Sequence, residues 1–401
     1  MARIARRTGV VDRPVDARRM HARVTPLLGG LAIYLGVMIP TLVLIKKDPA
    51  TKAILVGGTI VALVGVIDDF FEIKPLVKFA GQIAAISALL AFGLRIDHLS
   101  VPLTGIVVTL HPAIAIPLTI LWVATIINMV NFIDGLDGLA AGVCAISALT
   151  FAAIALSLDR GTTGVAAAIL AGAAFAFLRF NFYPASIFMG DAGSMLLGYV
   201  LAVISIQGVL KGAATVALIF PLLVLGVPFI DLFLVVFRRL RKGVPIYSPG
   251  RDHVHHDLVL VAGFSQRTSV LLLYGWCLVL NGLALAMRFR ATAAIVVLGL
   301  ASLAATASMA RLLLRYRSRD EHTGGQGHAG GGQGPAAGGA DRDGRRADRD
   351  RRRLGPSGRR IGPAGGGEED AGGVFDRSPG PSAPTGRRVR RTRPPGNTAG
   401  R

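Results

Sequence analysis

Apolar runs of about 20 residues begin at Pro26, Ala53, Lys78, Pro112, Leu139, Thr162, Ala192, Ala213, Thr268 and Ala291, with short polar stretches between them. A helix rising ~1.5 Å per residue needs about 20 residues to cross a hydrocarbon core ~30 Å thick. The pattern therefore predicts an all-α polytopic membrane protein with about ten transmembrane helices. The run from Ala53 to Ile67 is the short one. Between Leu94 and His111, Pro102, Gly105 and flanking β-branched residues predict a short extracytoplasmic hairpin instead of a span.

An even number of spans puts both termini on one side. The first 25 residues hold seven arginines, and the loop after Val236 holds Arg238, Arg239, Arg241, Lys242 and Arg251. Positive loops face the cytoplasm, so both termini are expected there, although Lys46, Lys47 and Lys52 fall on the other side. The expected organisation is a basic cytoplasmic segment (1–25), a transmembrane domain (26–314) and a disordered Arg/Gly/Pro-rich cytoplasmic tail (320–401). The cytoplasmic loops are expected at about 68–77, 132–138, 180–190 and 237–267. The opening carries no secretory h-region with a cleavage site.

Composition agrees: of 401 residues, 52% are hydrophobic and 17% charged, against about 25% charged in a soluble domain. The net charge of +20 resembles a nucleic-acid signature, but about 20 of the 44 Lys and Arg lie beyond Ala310 and the others sit between apolar runs. That distribution fits an anionic leaflet, and no nucleic-acid partner is expected. The two cysteines, Cys144 and Cys277, lie inside apolar runs and provide no disulfide framework.

Four polar clusters fall on the cytoplasmic side of this topology, which predicts one active site on that face. Asp68 and Asp69 end one span, as solvated carboxylates, as ligands of a hard divalent ion, or as a base raised by its twin. Asn128, Asn131, Asp134 and Asp137 follow at spacings that, if helical, put Asn131 with Asp134 and Asp134 with Asp137 on shared faces. Asp191 opens a span beside Gly190 and Gly193, as a helix cap or a metal carboxylate. His253, His255 and His256 lie in a basic loop, suited to donating hydrogen bonds to phosphate; no cysteines complete a structural zinc site. The P-loop and dinucleotide fingerprints are absent. A transporter would place polar groups near the midplane, where this chain has almost none.

In order, these motifs resemble the polyprenyl-phosphate N-acetylhexosamine-1-phosphate transferase family (glycosyltransferase family 4), over roughly Asp12 to Leu258. Asp12-Arg-Pro, Arg18-Arg19-Met-His21 and Pro26-Leu-Leu-Gly29-Gly30 look like the family's first cytoplasmic loop, placing Arg19 and His21 among the substrate-binding residues. The resemblance implies a catalytic acidic pair at Asp68 and Asp69 and a basic partner at Lys78. It implies a nucleotide- and metal-proximal loop with Asn128, Asn131, Asp134 and Asp137, and a Mg²⁺ ligand at Asp191 assisted by Asp134, with Mn²⁺ as an alternative ion. Phe188 is similar to an aromatic that stacks on uracil, and His253, His255 and His256 match the family's histidine motif. The His-x-His-His spacing looks like the branch that uses UDP-N-acetylglucosamine. The phospho-N-acetylmuramoyl-pentapeptide transferase of peptidoglycan synthesis, with three adjacent histidines, is the alternative.

The resemblance implies a multi-pass enzyme of the bacterial plasma membrane, able to form a homodimer. Its acceptor would be undecaprenyl or decaprenyl phosphate, and its product the lipid-diphosphate sugar that starts an envelope polysaccharide: lipopolysaccharide, arabinogalactan or a teichoic acid linker. Relatives on this branch carry one more span before the first loop, which is not among the runs of this sequence. Direct attack by the lipid phosphate and a covalent aspartyl intermediate both remain compatible with the residues.

Overall fold

The computed structural model describes residues 11–12, 25–100, 107–210, 219–245 and 252–326. Arg19, His21 and the 327–401 tail lie outside the described residues. Two short antiparallel ladders occur: β1 (Val11–Asp12) with β2 (Thr25–Pro26), and β3 (His98–Ser100) with β4 (Val107–Thr109). The second is the hairpin expected between Leu94 and His111.

The helices are α1 (Gly29–Leu44), α2 (Pro49–Phe71), α3 (Pro75–Ala91), α4 (Pro112–Ile133), α5 (Leu139–Ser157), α6 (Gly161–Asn181) and α7 (Gly190–Ser205). They continue as α8 (Ile219–Val224), α9 (Gly226–Lys242), α10 (Val254–His256), α11 (Gln266–Arg288) and α12 (Thr292–Gln326). Among the described residues, seven are long and apolar enough to cross a membrane: α2, α4, α5, α6, α7 with its π-turn extension, α11 and the first part of α12. α1 and α3 are shorter apolar helices.

Three helices begin with proline at their first position, where the missing N–H costs no intrahelical bond. The short run expected from Ala53 lengthens for this reason. It starts at Pro49, capped by Asp48 (Thr51 N to Oδ1, 2.8 Å), and continues through Asp68 and Asp69 to Phe71.

The span expected from Ala213 is not continuous, because the helix breaks between α8 and α9. Pro228 has no N–H to give to the carbonyl of Val224. That carbonyl instead accepts Ser147 Oγ at 2.9 Å and Asn281 Nδ2 at 3.1 Å, so the break is satisfied by two neighbouring helices. At the C-terminal end, α12 runs past the expected boundary at Arg319 to Gln326. Between them lie Asp320, Glu321, His322 and Thr323, none of which breaks a helix, and Gly324-Gly325 comes only at its end.

α7 is the central element. From Ala192 to Ser205 every residue is buried, with α2 and α4 packed on it. The seams are close because they use glycine. A Cβ on Gly65 of α2 would sit 2.4 Å from Ala192 Cα, and one on Gly30 of α1 would sit 2.4 Å from Gly193 N. The glycines of the first-loop motif thus dock α1 against the start of α7. Cys144 and Cys277 are buried and unbridged.

Candidate active site at one end of the bundle

α2 delivers its two carboxylates through its C-terminal turn. Glu72 adopts a left-handed conformation (φ 47°), which reverses the chain into α3. Asp68 stabilises the reversal: its carbonyl accepts Glu72 N at 2.8 Å and its Oδ1 accepts Ile73 N at 3.0 Å. The turn brings Lys78, one turn into α3, back over Asp68, with Nζ 3.3 Å from Oδ2.

Lys78 joins three helices. Its ammonium also pairs with Asp191 at the start of α7 and lies 3.5 Å from Asn131 Oδ1 on α4. Asn131 Nδ2 donates to Asp191 Oδ1 at 2.8 Å and to Ser194 Oγ at 2.9 Å. Asp68, Lys78, Asn131 and Asp191 therefore form one network although they come from distant parts of the chain. These groups are half-buried, where a charged pair is less screened than at a free surface.

Asp69 has a separate task. Its Oδ1 accepts Asp191 N at 2.8 Å and its Oδ2 accepts Ala192 N at 3.3 Å. It caps α7 from another helix, filling the role that Met189, the residue at the cap position, leaves open. Asp191 is thus not its own helix's cap, and its carboxylate is available to Lys78 and Asn131. The cap requires Gly190, which has φ +64° and whose Cβ would lie 2.5 Å from Asp69 Oδ2. A Gly190→Ala variant is expected to lose at least ~1–2 kcal/mol of stability from the left-handed backbone alone. Its transfer activity should fall as Asp69 is displaced; denaturant unfolding in detergent beside an activity assay checks both.

The segment after α4 departs from the sequence expectation. α4 ends at Ile133, so Asp134 is its C-cap and Asp137 lies in a turn; the two do not share a helix face. Gly135 and Gly138, the latter at φ +84°, release the chain from the helix. Asp137 is buried and turned to Ala185 N, which it accepts at 2.8 Å. Asn181 completes this join, accepting Gly138 N at 3.1 Å and donating to Ile187 O at 3.0 Å. Together they hold the 182–189 loop, where Phe188 N donates to Pro26 O and Phe188 O accepts Gly29 N. Asn128, one turn deeper than Asn131, pairs with Gln82 of α3 (Nδ2 to Oε1, 2.7 Å) and stands apart from the acidic network.

The Asp134 carboxyl is pushed well above the usual carboxylate range, first by desolvation, then by the nearby charges of Asp69 and Asp137. Carboxylates forced together in this way suit a divalent cation. Asp191, which accepts from Asn131 Nδ2, is a carboxylate of the kind a hard ion such as Mg²⁺ prefers. A second group, Asp231, His253 and His255, has ligand atoms within 4.8 Å of one another. Its imidazole nitrogens suit a softer ion than Mg²⁺.

The histidines are not in a solvated loop. His255 is 1% exposed, and His253 stacks on it with ring centroids 5.4 Å apart while also meeting Phe132 of α4 at 5.7 Å. A Cβ on Gly135 would lie 2.4 Å from His255 Nε2, so the histidine turn docks directly on the Asn128–Gly138 motif. Burial holds His255 neutral, its pKa lowered to about 3 against a smaller opposing effect of Asp231. Arg238 secures the turn from α9, reaching Asp257 Oδ2 at 2.7 Å, and Arg239 Nε reaches Asp252 Oδ2 at 3.3 Å. All four clusters therefore meet at one end of the bundle. Gln82, Asn181, Ser194 and Asp231 are the participants that sequence reasoning missed; for Asp231 the available signal was a lone acid in the apolar stretch 226–236.

A sequence model described as glycosyl transferase family 4 matches residues 51–209. The chain is 38% identical over 273 residues to a probable undecaprenyl-phosphate N-acetylglucosaminyl 1-phosphate transferase of Bacillus subtilis (strain 168), covering 68% of this chain and 75% of that protein. It is 38% identical over 344 residues to a decaprenyl-phosphate N-acetylglucosaminephosphotransferase of Mycobacterium tuberculosis (strain ATCC 25618 / H37Rv), covering 78% and 84%. It is 30% identical over 280 residues to an undecaprenyl-phosphate alpha-N-acetylglucosaminyl 1-phosphate transferase of Escherichia coli (strain K12), covering 68% and 74%.

The chain belongs to glycosyl transferase family 4.

The family match includes Asp68, Asp69, Lys78, Asn131, Asp134, Asp137 and Asp191, and so takes in the whole acidic network. It ends before α9 and the histidine turn, which meet this family 4 site through tertiary contacts that include Phe132 and Gly135.

Proposed function

We propose that this family 4 protein transfers N-acetylglucosamine-1-phosphate from UDP-N-acetylglucosamine to a membrane polyprenyl phosphate and releases UMP. The observation carrying this reading is the convergence of Asp68, Lys78, Asn131 and Asp191 on the glycine-lined start of α7. The similar proteins, each named as an N-acetylglucosamine-1-phosphate transferase acting on a polyprenyl phosphate, support the same donor and acceptor.

An oxygen of the lipid phosphate attacks the sugar-bearing phosphorus, and the bond to the bridging oxygen breaks as UMP leaves. Both substrates are anionic, so the site must offset repulsion and align the attack. Asp68 is held by Ile73 N and Lys78, in position to orient the incoming phosphate and keep the ammonium beside it. Asp69 fixes the start of α7 and thereby Asp191. Lys78 donates to phosphate oxygens, and His256 supplies a further donor. Phe188, held half-buried by its backbone bonds to 26–29, offers a ring to the uracil, and Asn131 and Asp137 shape the nucleotide side. Asp191 and Asp134 would hold Mg²⁺, which when bound neutralises charge on the diphosphate.

The lipid phosphate lies at headgroup depth and the nucleotide sugar is water-soluble, so the inner ends of the helices are where both meet without burying charge in hydrocarbon. The basic last turn of α9, with Arg239, Arg241 and Lys242, supports a cytoplasmic position for this end, with the termini on the same side of a bacterial plasma membrane. Ten spans arise if α1, α3 and the α8–α9 pair also cross.

The donor is tested directly. Purified protein in lipid is expected to move label from UDP-N-acetylglucosamine into the lipid fraction with release of UMP, and to ignore UDP-N-acetylmuramoyl-pentapeptide. Transfer from the pentapeptide donor alone would assign the protein to the peptidoglycan branch.

A further inference from the structure

The histidine turn depends on a carboxylate that lies outside all the motifs. Asp231 is on α9, 4% exposed, and both of its oxygens are engaged. Oδ1 accepts Val254 N at 2.7 Å, and Oδ2 lies 2.7 Å from His253 Nδ1. Val254 N is the first N–H of α10, so one oxygen caps the turn that carries His255 and His256. The other oxygen acts on the imidazole. An ionised carboxylate only accepts hydrogen bonds, so His253 Nδ1 carries a proton, and in the neutral ring Nε2 then holds the lone pair.

The turn is confined from three further directions. Phe132 faces the His253 ring, Gly135 receives His255, and Arg238 ties Asp257 and the Asp252 carbonyl to α9. These contacts place the backbone but leave the ring tautomer of His253 undetermined. Among the described residues, Asp231 is the group bonded to its Nδ1. A buried carboxylate is costly unless its lone pairs are used, and here both partners belong to the histidine turn.

We propose that Asp231 is the positioning residue of this site: it locks His253 in the Nδ1–H tautomer and anchors the histidine turn against α4. His253 then presents Nε2, and not Nδ1, to the reacting groups. The effect on turnover rests on the transferase reading above; the tautomer does not.

The test uses full-length protein, labelled with ¹⁵N-histidine and reconstituted in phospholipid bilayers. Magic-angle-spinning NMR reads the protonation of His253, whose signals are assigned by their loss in His253→Gln. The wild type is expected to show a protonated Nδ1 and an unprotonated Nε2. In Asp231→Asn the side-chain oxygen can still accept Val254 N–H, which turns the NH₂ toward His253 and reverses the tautomer. That variant is expected to keep KM for UDP-N-acetylglucosamine within threefold while kcat falls by ~100-fold or more, the scale of a misplaced acid–base group. An unprotonated Nδ1 in the wild type overturns the proposal without need of any variant. So does a reversed tautomer in Asp231→Asn with kcat within threefold of wild type. If the wild type transfers nothing from UDP-N-acetylglucosamine, the transferase reading fails, and the spectra still decide the role of Asp231.

Discussion

Asp191→Asn is expected to lower transfer by ~1,000-fold or more, equivalent to ~4 kcal/mol of transition-state stabilisation, while the protein stays folded in the membrane. The size of the effect follows from the position of Asp191. Its carboxylate faces Lys78 and Asn131 in the acidic network, and it is the residue proposed above to hold a divalent ion. The fold should survive because Asp191 does not cap α7 with its side chain. Asp69 does so through the backbone N–H groups of residues 191 and 192, which the substitution leaves in place. The variant amide can still accept from Asn131. The checks are a radiolabel assay across a Mg²⁺ titration and a thermal unfolding curve. Near-normal turnover would reduce Asp191 to architecture.

Asp69→Ala is expected to give the second-largest loss, and through a different route. Two N–H groups at the start of a buried helix lose their acceptors, at ~1–2 kcal/mol for a missing cap, and α7 is freed to shift against α2. Gly65 packs on Ala192 with no side chain between, so a small shift there moves Asp191 relative to Lys78. Activity is expected to fall by ~100-fold or more with a lowered unfolding midpoint. Asp69→Asn, which keeps one acceptor oxygen, should retain at least tenfold more activity than Asp69→Ala. If both variants are equally inactive and equally stable to wild type, Asp69 acts on the substrate and its cap is incidental.

Reading the acidic pair as two equivalent carboxylates would miss this division of labour. Asp68 and Asp69 are adjacent in sequence, yet one faces an ammonium and the other a helix start. Successive residues on a helix point about 100° apart, so neighbours in sequence meet different surroundings. The same reasoning applies to Asp134 and Asp137, which a continuous helix would align. The helix ends at Ile133, Gly135 follows in the turn, and Asp137 turns to the backbone of Ala185.

What the sequence determined by itself is what depends on composition along a line. Apolar runs of spanning length follow from the thickness of a hydrocarbon layer, and polar clusters at the ends of those runs follow from the cost of burying charge within it. From these come the helical class, the hairpin after α3 and the gathering of four motifs at one end of the bundle; the residues of those motifs, in order, carry the resemblance to family 4, which the relatives bear out. The tertiary structure decided what depends on which group lies within ~3 Å of which other, the range over which a hydrogen bond acts. It assigned the cap of α7 to a residue on α2, broke α8 from α9 at a carbonyl satisfied by Ser147 and Asn281, and buried His255 against Gly135. It also placed Asp231, an isolated acid in an apolar stretch, on the imidazole of His253. A carboxylate has the same chemistry at every position in a sequence; its role comes from the N–H, ammonium or imidazole that packing brings to it.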